Sequence, residues 1–105
     1  MSEEMELIQR IKTALSQEKI TETTIYGGQG FSIKGRVFCG VANNTLFLFI
    51  GEDRFDEILT HPLARPFEVE GKPLPGWVQI VPTGIKRDSD LAGWLNNALN
   101  AIKEV

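Results

Sequence analysis

The residues of this chain whose spacing comes nearest to a phosphate cradle are the glycines of Tyr26-Gly27-Gly28-Gln29-Gly30-Phe31, three in four positions. Such a cradle points successive backbone N–H groups at an anion from the start of a helix. A nucleotide-binding loop of that kind needs Lys and Ser/Thr directly after its last glycine, whereas Phe31 and Ser32 follow here. The dinucleotide fingerprint fails as well, because counted from Gly28 it needs glycine at position 33, which is Ile. Gly27, Gly28 and Gly30, with Gly35 further on, are therefore read as turn or bulge glycines that let backbone pack closely.

A cysteine–histidine pair would be the other route to chemistry, since Cys39 and His61 are the sole residues of their types. That pair needs an exposed thiolate and a third group to orient the base. Cys39 lies between Phe38 and Gly40 in a β-prone run, the setting of a small buried hydrophobe. His61 precedes Pro62 and reads as a side chain that satisfies a last-turn carbonyl at a helix end. One cysteine and one histidine offer no ligand spacing for zinc, so neither metal nor cofactor is expected. Asp53, Asp56, Glu57, Asp88 and Asp90 fall in or beside predicted first helical turns, where acids favour the dipole. No catalytic residue is assigned, and Trp77 and Trp94 read as core anchors, with an interface, where tryptophan is enriched, as the alternative for either.

Fourteen acids against eleven bases leave a net charge of −3 and a pI near 5.1. Domains that grip nucleic acid by its phosphates usually carry a basic field, so nucleic acid is not the expected main partner. Lys34, Arg36, Arg65, Lys72, Lys86 and Arg87 stand mainly in or beside predicted turns and read as solvated. The longest apolar run, Leu46 to Ile50, is far short of the roughly 20 residues that span a bilayer. The first residues are acidic, and a single cysteine suits a reducing compartment; the expectation is a cytoplasmic protein without a membrane segment.

The elements that would position these residues follow from periodicity. Met5, Leu7, Ile8, Ile11 and Leu15 recur at helical spacing after Ser2 as N-cap, predicting a helix over residues 3–17. Lys34-Gly35 and Asn43-Asn44 predict tight hairpin turns on either side of Arg36–Ala42. With those turns, Ala42 faces Thr45, Val41 faces Leu46, Gly40 faces Phe47, Cys39 faces Leu48 and Phe38 faces Phe49. A short helix is predicted around residues 51–62, two strands at 66–70 and 76–81 joined by Gly71–Pro75, and a closing helix from Asp88 or Ser89 onward. The fold class is α+β: one domain over residues 1–105, with a mostly antiparallel five-stranded meander and three helices.

Strict alternation puts Val37, Cys39, Val41, Leu46, Leu48 and Ile50 on one face of the central hairpin, and Phe38, Phe47 and Phe49 with Gly40 on the other. A hairpin apolar on both sides must be covered on both, by helices on one face and by a further helix, another subunit or a ligand on the other.

The glycine stretch with Phe31 to Gly51, Arg65-Pro66-Phe67-Glu68-Val69, Gly71–Ile80 and the last helix through Leu91–Leu99 together resemble the N-terminal domain of the TfoX/Sxy family, grouped with YjbR-like folds. Ile25-Tyr26 stands where that family usually has Met-Phe. The resemblance runs from the first helix to Ile102, with the chain read as a single-domain member. It implies an α+β fold and a binding role, since the competence regulators of that family look like coactivators working with the cyclic-AMP receptor protein. It implies no established catalytic residues. The expected function is thus a non-enzymatic protein-interaction module, a transcription-linked accessory protein using Phe38, Phe47, Phe49 and Trp77 against a protein partner, a transcription regulator or a second copy of the chain. Two alternatives are nucleic-acid binding by the hairpin tips, through Lys34, Arg36, Asn43 and Asn44, and a small-ligand pocket near Cys39, Tyr26 and Trp77.

Overall fold

The computed structural model describes residues 3–103; the N-cap expected at Ser2 lies outside them. Four strands follow the first helix α1 (Glu3–Ala14): β1 (Thr21–Ile25), β2 (Gly28–Ile33), β3 (Arg36–Ala42) and β4 (Thr45–Phe49). Helix α2 (Glu52–Leu59), strands β5 (Ala64–Val69) and β6 (Lys72–Ile80), a 3₁₀ turn at Pro82–Ile85 and helix α3 (Asp88–Lys103) complete the chain. The fold class is α+β as the sequence implies, with three α-helices, but the sheet has six strands rather than five and its order is β1-β2-β3-β4-β6-β5. All its pairings are antiparallel. The meander breaks after β4, because β6 takes the place beside β4 and leaves β5 at the edge.

The strand absent from the sequence reading is β1, Thr-Glu-Thr-Thr-Ile, exposed along four of its five residues. An edge strand so exposed has no apolar alternation for a pattern argument to find. Its existence follows from the turn after it, where Tyr26 (φ 55°) and Gly27 (φ 75°) both adopt positive φ. The pairs Lys34-Gly35, Asn43-Asn44 and Glu70-Gly71 do the same. Positive φ at both central residues matches the right-handed twist of the strands they join, so four hairpins share one turn design.

All three helices lie against one face of the sheet. From α1 come Leu7 and Ile11, and from α3 come Leu91, Leu95, Ala98 and Leu99, all buried in a core with Phe31, Cys39, Val41, Leu46, Leu48, Val78 and Ile80 from the strands. Phe55, Ile58 and Leu59 of α2 pack against that core from its edge. Arg10 ties α1 to the start of α3, donating from Nε to Asp88 Oδ1 at 3.0 Å and from Nη2 to the Ile85 carbonyl at 2.6 Å.

Register irregularities correct the alternation expected from sequence. The β2–β3 pairing runs Phe31 with Cys39 but Ser32 with Val37, so Phe38 is the extra residue of a β-bulge. One inserted residue shifts the facing of what precedes it. Phe38 is accordingly fully buried in the helix-covered core, not on the face with Phe47 and Phe49. In the β5–β6 hairpin the pairing jumps from Pro66 with Val78 to Glu68 with Pro73. Leu74 to Trp77 therefore stand out of register with β5 opposite the single residue Phe67, while Trp77 keeps its pairing with Phe49 of β4. The stretch expected to join two strands is part of β6 itself, and the turn is Glu70-Gly71.

Candidate functional site

The face of the sheet without helices closes on itself. A second cluster forms there around Phe47, with Ala42 and Phe67 buried and Ile25, Val69, Leu74 and Trp77 half-buried against it. Ile25 comes from one edge strand and Val69 from the other, so both edges curl over the same ring. Phe47 stacks on Phe67 with centroids 4.7 Å apart and planes 14° from parallel. Tyr26, carried by the β1–β2 turn, meets Phe47, Phe67 and Trp77 edge-on at 5.9, 5.5 and 6.4 Å. The second face thus needs no added helix, and Phe47 has no exposed surface.

Glycine makes the curl sterically possible. Gly40 faces Phe47 across the β3–β4 pairing, and a Cβ there would strike the Phe47 ring and come within 2.5 Å of the Gln29 carbonyl. Gly28 and Gly30 are strand residues rather than turn residues. A Cβ at Gly28 would collide with the Val41 carbonyl, and one at Gly30 would meet Ile25 Cγ2 at 2.6 Å. The glycine stretch therefore packs β2 against its neighbours, while Gly27 and Gly35 occupy turns.

What remains accessible is an aromatic rim. Tyr26 keeps 40% of its surface exposed, and Phe49 and Trp77 are half-buried with ring centroids 5.4 Å apart. Of the four residues expected at an interaction face, Phe49 and Trp77 stand at this rim, Phe47 lies beneath it and Phe38 is on the opposite side of the sheet. Tyr26 was not legible as a rim residue because its role depends on β5 meeting the β1–β2 turn.

The other candidate groups are not brought together. Cys39 is buried in the helix-side core, away from Tyr26 and Trp77, and burial pushes its thiol up, away from the thiolate a nucleophile needs. His61 is exposed at the end of α2, where its Nδ1 accepts the Leu63 N–H at 3.1 Å instead of serving a carbonyl. Its ring stands edge-on to Trp94, a half-buried residue at the border of the core. Asn43-Asn44 and Lys34-Arg36 sit at opposite ends of β3, so no single surface holds both tips. The asparagine turn has an acidic neighbour, with the Asn44 N–H donating to Glu4 Oε1 at 3.3 Å. Among the described residues no group of three or more His, Cys, Asp or Glu is placed to hold a metal ion, and no helix is long and apolar enough to cross a membrane.

No curated protein matches the chain. The family model of the TfoX N-terminal domain matches residues 13–102, from the end of α1 to the last turn of α3. That span contains every strand and the whole aromatic rim, and the chain belongs to the TfoX N-terminal domain family.

Proposed function

We propose that this chain is a non-enzymatic protein-interaction module, a transcription-linked accessory protein of the TfoX type, which engages its partner through the aromatic rim of Tyr26, Phe49 and Trp77. The observation that carries the reading is the rim itself. Three rings are held by mutual contacts on a curled sheet, each with surface left over after the fold is satisfied. Rigid aromatic side chains of this kind supply contact area at small entropic cost and are enriched where interfaces draw their affinity.

The test uses the cyclic-AMP receptor protein of the same source as partner, with binding followed by intrinsic tryptophan fluorescence. Saturable binding by the native chain and its loss in Phe49→Glu, with an unchanged circular dichroism spectrum, is the expected result. A receptor that leaves the fluorescence unchanged at saturating concentration removes the transcription-linked reading. If Phe49→Glu unfolds the protein, the rim is core and not an interface.

A further inference from the structure

At the end of the molecule opposite the asparagine turn, the α1–β1 loop, the β2–β3 turn and the last turn of α3 enclose a groove of about 690 Å³. Lys19, Lys34, Arg36 and Lys103 line it, with Ile33 and Ile102 as its apolar wall. Both isoleucines are half-buried and continue the helix-side core outward. Among the described residues Glu18 is the one carboxylate lining it, and it takes Lys103 at 3.6 Å. Lys19, Lys34 and Arg36 have no ion-pair partner among the described residues.

Three cations in one groove without an ion-pair partner among the described residues are unexpected on a chain of net charge −3. Like charges gathered around a concavity raise the local potential and attract the opposite sign. The β2–β3 turn places two of them, since Lys34 is fixed at φ 53° in a two-residue hairpin and Arg36 opens the next strand, while Lys19 comes from the α1–β1 loop. The apolar wall decides between classes of anion. Single-stranded nucleic acid adds base stacking on rings to its phosphate contacts, and among the described residues no ring lines this groove. Aliphatic side chains of a peptide would bury against Ile33 and Ile102 while flanking carboxylates meet the cations.

We propose that this groove receives an acidic segment of a partner protein, with an aliphatic side chain set between carboxylates. It lies at the other end of the sheet from the β1–β2 turn that carries Tyr26, so the assignment does not depend on the aromatic rim.

The experiment titrates the full chain into three fluorescein-labelled probes and reads anisotropy: a peptide of alternating Glu and Leu, the same peptide with Ser for Leu, and a short single-stranded oligonucleotide of matched charge. The Glu-Leu peptide should bind most tightly and the Ser peptide more weakly. The double variant Lys34→Glu/Arg36→Glu should weaken the Glu-Leu peptide by about tenfold or more, because reversing both charges replaces attraction with repulsion. Glu at position 34 is compatible with the turn, as Glu70 already occupies the equivalent place before Gly71. Lys72→Glu, at the start of β6 and outside the groove, should change affinity within about twofold. The proposal is overturned by an oligonucleotide that binds as tightly as the Glu-Leu peptide, by equal binding of the two peptides, by equal loss in Lys72→Glu, or by no binding of any probe at low salt.

Discussion

Gly40 shows how one missing side chain governs this fold. Its neighbours across the strands are a ring and a carbonyl, and only the ring could swing aside. Gly40→Ala should therefore destabilise the protein by about 1–3 kcal/mol, the range for overpacking a closed core. A urea unfolding curve with an unchanged slope and a lower midpoint is the expected readout; a midpoint within error of the native one would mean that β3 can shift away from β2 without cost. Cys39, next to it in sequence, points to the other core, and its chemistry is suppressed by the same alternation. Neither role is written in the residue type. Glycine reads as a turn and cysteine as a candidate nucleophile until their partners across the strands are known.

At the scale of elements, the same substitution should have opposite signs in a turn and in a helix. A Cβ at Gly71 or at Gly93 would meet nothing within 4 Å, so sterics with distant atoms play no part at either. Gly71 sits at φ 80° in the β5–β6 turn, where Ala should cost about 1–2 kcal/mol. Gly93 is an exposed residue inside α3, where Ala should stabilise by about 0.5–1 kcal/mol. Thermal melts of the two variants should move in opposite directions, and a shift of the same sign in both would show that backbone conformation is not what decides. The helices and the β3–β4 register from Ala42–Thr45 to Cys39–Leu48 were legible because their apolar period is strong and the Asn43-Asn44 turn defines the pairing. The bulge at Phe38 was not. An inserted residue leaves the local hydrophobic pattern intact while reversing the facing of what comes before it, and the same blindness hid the register shift of Leu74–Trp77 against β5.

For the whole molecule, the decisive event is the meeting of the sheet's two edges over Phe47. Alternation identified a second apolar face through Phe47 and Phe49, wrongly adding Phe38, and could not say what covers it, because the cover is tertiary: Tyr26 from one edge, Phe67 and Val69 from the other. Tyr26→Ala removes three edge-on ring contacts, and such pairs contribute about 0.5–1.5 kcal/mol each beyond burial. With partial exposure discounting the sum, a loss of about 2 kcal/mol is expected, together with changed emission from Trp77, whose ring loses its Tyr26 neighbour. A variant as stable as the native protein, with the same emission, would mean the edges close without the tyrosine.

The packing of the first and last helices on one face has a consequence for synthesis. The four strands from Thr21 to Phe49 pair with their sequence neighbours through two-residue turns, and such local ribbons form early. Their helix-side face draws Leu91, Leu95, Ala98 and Leu99 from the final segment. As the chain leaves the ribosome, the sheet's own curl can shield Phe47 once β5 and β6 have emerged. Until α3 arrives the face with Val41, Leu46 and Leu48 has only α1 and α2 to cover it, so the nascent protein passes through an interval with one apolar face closed and the other part-open.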